Sequence, residues 1–312
     1  MEIKYEHGIC LEDKDRKVIL DPSRQSDIGV VTHGHMDHLV KDAYMTHHTL
    51  DILGVRTGER RGKGIPYGFP QPVGGFNVTL YPAGHVFGSA MVMVDDVLYT
   101  GDFNTDGGNT CGKASAYRCN TLIIETTYGK IDYRLPAKKQ VVEDMLAWTC
   151  SEIDEGPVVF GAYEFGKAQE AISLLNSIGE VPYVSHSVAR LNEVYKRHGV
   201  SLKYKTGTPE GNFTAVVPPS DLKKKSTGEL VKIAKKDGGT CAYLSGWCAF
   251  YSFFHSMHID AQFPLSDHAG FDELMDYVKM CQPERVFTVH GSAKEFACTV
   301  REELGIEATA LK

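Results

Sequence analysis

The run His33-Gly34-His35-Met36-Asp37-His38 places three imidazoles and one carboxylate within six residues. Neutral imidazole nitrogens and carboxylate oxygens suit zinc, and this set offers donors for two ions rather than one. Two ions a few ångströms apart are hydrolytic machinery, one beside the attacking oxygen and the other beside the leaving oxygen. The bland alternative is a solvated, His-rich turn that picks up metal adventitiously. Three features argue against it: the alternation of His, the adjacent Asp37-His38 pair, and the preceding Ile28-Gly29-Val30-Val31-Thr32, which reads as a buried strand.

Four later sites can complete such a centre. His85 lies in Tyr81-Pro82-Ala83-Gly84-His85-Val86-Phe87-Gly88, a glycine-flanked loop after a strand pattern, where the backbone is free to turn an imidazole toward a metal. Asp102, in Tyr99-Thr100-Gly101-Asp102, ends a strand pattern, and its two oxygens can bridge two ions. His268, in Ser266-Asp267-His268-Ala269-Gly270, and His290, in Phe287-Thr288-Val289-His290-Gly291, each follow a short strand pattern that would project an imidazole into a cleft.

The elements around these residues follow two grammars. Residues 1–130 are strand-rich: 76–81 alternates at period two, 91–100 reads as a hairpin turning at Asp95-Asp96, and 121–124 is a buried strand. After Pro136 strands and helices alternate, with helices expected at 137–151, after Gly166 and at 188–198, and strands at 157–161, 213–217 and 240–245. That rhythm predicts a small parallel sheet. The last fifty residues return to strands and helices near 271–280, 285–289 and 293–304. The chain is therefore α/β, with a discontinuous core of 1–132 and 262–312 interrupted by an insertion of 133–261.

Composition bounds the rest. The chain has 312 residues and a net charge of −7, which is poor for a nucleic-acid binder as a whole. Residues 133–261, however, carry 15 Lys+Arg against 14 Asp+Glu, a net of +1, and the remainder carries 18 against 26, a net of −8. The insertion holds Lys223-Lys224-Lys225 and Lys235-Lys236, so a polyanionic substrate is permitted there, although such clusters are commonly just solvated faces. No window is apolar enough to span a membrane. Residues 1–7 lack the apolar segment of an export signal, so the expectation is a cytoplasmic protein whose eight cysteines are free thiols, with a bridge or metal clip between Cys111 and Cys119 as the alternative.

Taken together, these motifs resemble the metallo-β-lactamase superfamily, through His33, His35, Asp37, His38, His85, Asp102 and His290. Within it the chain is similar to the β-CASP nucleases: Ile124-Glu125-Thr126-Thr127-Tyr128-Gly129 matches their acidic motif, Ser266-Asp267-His268 their histidine motif and Val289-His290-Gly291 their third. Gly166-Lys167-Ala168-Gln169-Glu170 resembles the helix start of RNA-processing members, with Lys167 where Arg is usual. Leu244-Ser245-Gly246-Trp247 is similar to a motif of compact exonucleases, including those found beside DNA ligases.

The resemblance implies a four-layer αββα sandwich with an inserted α/β β-CASP cap. It implies two zinc ions, with manganese as the alternative: one held by His33, His35 and His85, the other by Asp37, His38 and His290, with Asp102 bridging. It implies that Asp21 orients a ligand imidazole. A hydroxide made between the ions, with Asp37 among the catalytic groups, would attack phosphorus in line, and His268, held by Glu125, would protonate the leaving sugar oxygen. The helix start at Gly166 and Lys167 is a candidate phosphate contact. Tyr163, Phe165, Trp247, Phe250 and Tyr251 are candidates to stack bases, and Tyr251, Phe253 and Phe254 form a candidate homodimer patch.

The expected activity is zinc-dependent exonucleolytic processing of single-stranded RNA, since the third motif carries His290. The runner-up is a DNA exonuclease for end processing or repair. A small-ester or thioester hydrolase on the same sandwich and an inactive scaffold are the remaining readings. The insertion and the Glu125/His268 pair argue against the first, and the full ligand set argues against the second.

Overall fold

In the computed structural model, which describes residues 1–36, 40, 42–225 and 227–311, the amino-terminal part runs β1 (Glu2–Tyr5), β2 (Ile9–Asp13), β3 (Arg16–Leu20), β4 (Gly29–Val30), β5 (Tyr44–Thr46), α1 (His47–Thr57), β6 (Lys63–Ile65), β7 (Gln71–Val73), β8 (Phe76–Pro82), β9 (Ala90–Val94), β10 (Val97–Tyr99) and β11 (Thr121–Glu125). The middle runs α2 (Lys138–Ile153), β12 (Val158–Gly161), α3 (Lys167–Ser177), β13 (Tyr183–Val184), α4 (His186–Arg197), β14 (Thr214–Val217), α5 (Glu229–Lys236), β15 (Thr240–Leu244) and β16 (Ala261–Phe263). The chain ends with α6 (Phe271–Cys281), β17 (Arg285–Val289), α7 (Ala293–Leu304) and β18 (Glu307–Ala310). It divides into two compact units, Met1–Arg134 with His268–Lys312, and Leu135–Asp267.

The first unit holds a six-stranded sheet, β1 to β6 in order, and a seven-stranded sheet ordered β18-β17-β11-β10-β9-β8-β7. Side chains alternate across a strand, so one strand can serve two cores. In β9, Ala90, Val92 and Val94 join a cluster with Val18, Leu20 and Val30 of the six-stranded sheet, whereas Met91 and Met93 turn to Phe271, Leu274 and Val278 of α6. Strands β9 to β11 at the centre of the seven-stranded sheet are thus covered on both faces, as their apolar residues require. Val31, Val40, Ala43 and Met45 pack with Leu50 and Leu53 of α1. The hairpin expected at 91–100 is present: β9 and β10 pair with Val97 opposite Val94, and Asp95 takes φ 51° in the turn.

The second unit is built on a five-stranded, wholly parallel sheet, β13-β14-β12-β15-β16. Val158 and Phe160 face α2, α3 and α4; Val159 faces α5. This unit continues past residue 261 to Asp267, because β16 pairs with β15 and Phe263 and Leu265 enter its core. All eight cysteines are free thiols. Among the described residues, no helix is long and apolar enough to cross a membrane.

Candidate metal centre

The centre in the first unit begins at the ends of β3 and β4. Asp21 follows β3 with φ 45°, and its amide donates to the Val30 carbonyl at 2.8 Å. Its carboxylate accepts from the Thr32 amide and hydroxyl, both at 2.8 Å, and from the Tyr99 hydroxyl at 3.0 Å. Burial, then the Asp21 charge, push the Tyr99 phenol well above its ordinary range, so it stays a donor. Thr32 Oγ1 lies 3.0 Å from His33 Nδ1. A hydroxyl has one proton, and the carboxylate takes it; the hydroxyl therefore accepts from Nδ1–H. His33 is fixed as the tautomer that offers the Nε2 lone pair. Asp21 thus reaches His33 through Thr32, a residue that sequence reasoning missed.

His85 is set by the loop after β8. Ser89 Oγ accepts from the amides of His85 and Val86, each at 3.2 Å. Gly84 has φ 72°, and a Cβ there would run into the Asn104 carbonyl and come within 2.8 Å of the Ala114 amide. Asp102 follows Gly101, which has φ 52° and packs so closely on Thr32 that a Cβ would lie 2.8 Å from that side chain. These close approaches bring the loops after β4, β8 and β10 to one place.

The rings of His33, His35 and His85 meet edge to face, with centroids 4.7, 4.9 and 5.0 Å apart. His85 Nε2 lies 3.3 Å from His35 Nδ1, and Asp102 Oδ2 lies 3.6 Å from His33 Nε2 and 3.8 Å from His85 Nε2. One ligand atom from each of the four lies within 4.8 Å of every other. Tetrahedral zinc with bonds of 2.0–2.1 Å has a ligand–ligand edge of about 3.3 Å. Three imidazoles and a carboxylate at this spacing fit one zinc ion, and burial of His33 and His85 keeps competing water away.

Beside it sits a second group, Asp102, Glu125 and His268, whose ligand atoms also lie within 4.8 Å of one another. Glu125 ends β11 and is fully buried. Its Oε1 lies 2.8 Å from His268 Nδ1 and its Oε2 accepts from the Thr127 amide at 2.8 Å. Burial alone would push this carboxyl up; the His268 charge and the hydrogen bonds from His268 and Thr127 outweigh it and hold the pKa below the ordinary carboxylate range. The His268 backbone is pinned by the Asn104 side chain on its carbonyl and by Ala269 donating to the Phe103 carbonyl at 2.9 Å. Its ring centroid is 4.5 Å from that of His85.

The remaining candidates fall elsewhere. Asp37 and His38 lie outside the described residues. His290 follows β17 at φ 59° and is exposed. Its carbonyl and that of Val289 accept from Thr126 Oγ1, so its backbone adjoins the acidic motif, but its ring is not in the His33/His35/His85/Asp102 group. In the second unit, Lys167 is buried and ion-paired with Asp267, and Gln169 accepts from the Gly166 amide at 2.8 Å and donates to Asn192 at 2.9 Å. Glu170 accepts from Lys138 at 3.2 Å. The polar residues of this motif therefore bind their own unit. Phe165 is buried; Tyr163, Tyr251 and Phe254 are exposed; Phe253 packs edge-on against Tyr243.

A buried cluster of imidazoles and a carboxylate on the loops of an α/β scaffold defines a metal-binding hydrolase type. The family model described as "Zn-dependent metallo-hydrolase RNA specificity domain" matches residues 257–311. The chain is 32% identical over 327 residues to a "Probable DNA ligase" of Opitutus terrae, covering 99% of this chain and 31% of that protein. It is 26% identical over 239 residues to the "DNA cross-link repair protein SNM1" of Arabidopsis thaliana, covering 69% of this chain and 48% of that one. The chain thus spans about a third to a half of the length of these relatives. Among solved structures, a protein of unknown function from Enterococcus faecalis V583 shares the fold, with a TM-score of 0.63 at 13% identity over 91% of this chain and 79% of that one. These likenesses support membership of the β-CASP family of metallo-β-lactamase-type hydrolases, and the His/Asp cluster supports metal binding.

Proposed function

We propose that this chain is a two-zinc phosphodiesterase that trims single-stranded nucleic acid. The observation that carries the reading is the juxtaposition of two devices: a zinc-sized set, His33, His35, His85 and Asp102, and the Glu125–His268 pair at 2.8 Å, with Asp102 belonging to both groups. A small-ester hydrolase has no need of the second device. Bound zinc would supply Lewis acidity, screening the phosphodiester charge and making an attacking water acidic.

The chain's own residues do the rest. His33, fixed as a tautomer by Thr32, joins His35, His85 and Asp102 as ligands of one ion; Asp37, His38 and His290 would hold the second, with Asp102 shared. Glu125 keeps the proton of His268 on Nδ1 and aims the ring, leaving Nε2 to donate a proton to the departing sugar oxygen. The unit of two facing sheets is read as the αββα core, and Leu135–Asp267 as the β-CASP cap that selects the polymer. A homodimer through Tyr251 and Phe254 belongs to the same proposal.

Two readings of the polymer each have support. The family description over residues 257–311, and His290 itself, favour RNA. The likeness that runs the length of this chain, and that to SNM1, is to proteins with DNA in their names, which favours DNA end processing. The deciding assay runs 5′- and 3′-labelled RNA and DNA single strands side by side, with Asp37→Ala as the control. About two zinc ions per chain and metal-dependent trimming of one polymer are expected. Two bound zincs with turnover of a thioester and no cleavage of any nucleic acid would overturn the reading. For the proton donor, His268→Ala is expected to lower kcat by roughly 10²–10⁴ with zinc content unchanged. Zinc loss would make His268 a ligand instead, and undiminished turnover would end its role.

A further inference from the structure

The loop that carries His85 has a second face. Gly84, Val86, Phe87, Gly88 and Ser89 line an open-sided cavity of about 310 Å³, together with His48, Tyr67, Pro82 and residues 109–112. His85 alone of this loop turns to the imidazole cluster, so the loop is a wall shared by the metal centre and the cavity. The size is at the lower end of the ~300–1,000 Å³ typical of small-molecule sites.

The lining combines three rings, His48, Tyr67 and Phe87, with small, apolar and polar residues. His48 and Tyr67 lie near parallel, with centroids 6.2 Å apart and planes at 24°, and Phe87 stands edge-on to His48 at 4.7 Å. Asn109, Thr110 and Cys111 line it as well, with Cys111 Sγ donating to the Gly84 carbonyl at 3.4 Å. The walls are also preformed. The Gly88 carbonyl accepts from Thr46 and Thr49 of the α1 start at 2.8 and 2.9 Å, and the Tyr67 hydroxyl donates to the Ser89 carbonyl at 2.9 Å. Gly88, at φ 84°, has no room for a side chain: a Cβ would lie 2.7 Å from His48 and 2.8 Å from the Thr49 amide. A flat ring with a polar edge is the shape and chemistry that such a slot recognises.

We infer that this cavity binds one nucleobase of the substrate strand, next to the scissile phosphate, by contact with His48, Tyr67 and Phe87 and by hydrogen bonds at Asn109. The inference rests on the nucleic-acid reading above and deepens it: it makes the metal unit a reader of bases and not only a cutter of phosphates. Because base–aromatic stacking is sequence-tolerant, the pocket would act as a register stop rather than a sequence filter.

The test uses the zinc-loaded protein and single strands in which one abasic residue is walked past the cleavage point. One position is expected at which base removal raises KM roughly five-fold or more, in line with stacking on one aromatic. His48→Ala and, separately, Asn109→Ala should shrink that penalty, with zinc content held. Abasic strands equal to intact ones at every position, or a penalty untouched by both variants, would overturn the proposal. A second arm does not need cleavage: the zinc-free protein is titrated with adenosine monophosphate and with ribose 5-phosphate. Base-dependent binding lost in His48→Ala supports the pocket even if no strand is cut, and equal or absent binding of the two ligands rejects it even if strands are cut.

Discussion

Thr32 Oγ1 stands between an ionised carboxylate and an imidazole, and a hydroxyl so placed has no choice of direction. It gives its proton to Asp21 and accepts the one on His33 Nδ1, at 2.8 and 3.0 Å. The neutral ring therefore carries its lone pair on the metal-facing nitrogen, the tautomer a metal needs. Thr32→Val keeps the shape and removes the hydroxyl. Zinc affinity is expected to fall by roughly 10–100-fold, the usual cost of losing such support, while Thr32→Ser restores it. Competition against a chromogenic chelator reads the change; equal affinities for wild type and the valine variant would remove Thr32 from the account. The Glu125–His268 pair obeys the same logic at a neighbouring point, with a buried carboxylate kept ionised by the groups that donate to it.

At the scale of elements, the site depends on loops that approach closer than side chains allow. Gly84 combines φ 72° with backbone on the side where a Cβ would point. Gly84→Ala is expected to destabilise the first unit by about 1–3 kcal/mol and to cost zinc, because the neighbouring His85 must move with the loop. Thermal unfolding and bound zinc should fall together; a fall in stability with full zinc would separate the two. This dependence also explains what could be read in advance. The grouping of His33, His35, His85 and Asp102 could be anticipated because each lies next to Gly or an alternating His, after an apolar strand pattern. The parallel sheet of the second unit was legible from its alternation of strands and helices. Helix α1 was not read, although Thr46 caps its start and Gly58, at φ 77°, ends it; its buried apolar residues, Leu50, Ile52 and Leu53, crowd into one turn and leave no repeating stripe. The Asp21–Thr32 link was illegible in detail, because eleven residues separate the pair and their meeting depends on β3 lying parallel to β4. The inward pairing of Lys167 with Asp267, one hundred residues on, left no local trace either.

At the scale of the whole molecule, the metal site and the two cores are unevenly distributed. All four residues of the zinc-sized group, with Glu125 and His268, belong to the unit formed by Met1–Arg134 and His268–Lys312. The other unit has apolar clusters of its own on both faces of its sheet. An ion that binds only the folded state stabilises what it binds, by about 4 kcal/mol when free metal exceeds Kd a thousand-fold. Chelation should therefore act on one unit. Hydrogen exchange with and without a chelator is expected to show faster exchange along β3, β4 and β8 to β11, and little change across Leu135–Asp267. Because Lys167 and Asp267 pair within the second unit, while His268 is tied to Glu125 in the first, the peptide bond between residues 267 and 268 is where the two responses should part. Equal loss of protection in both units would show that the metal supports the chain as one cooperative body, and the assignment of metal chemistry to one unit and polymer selection to the other would then have to be abandoned.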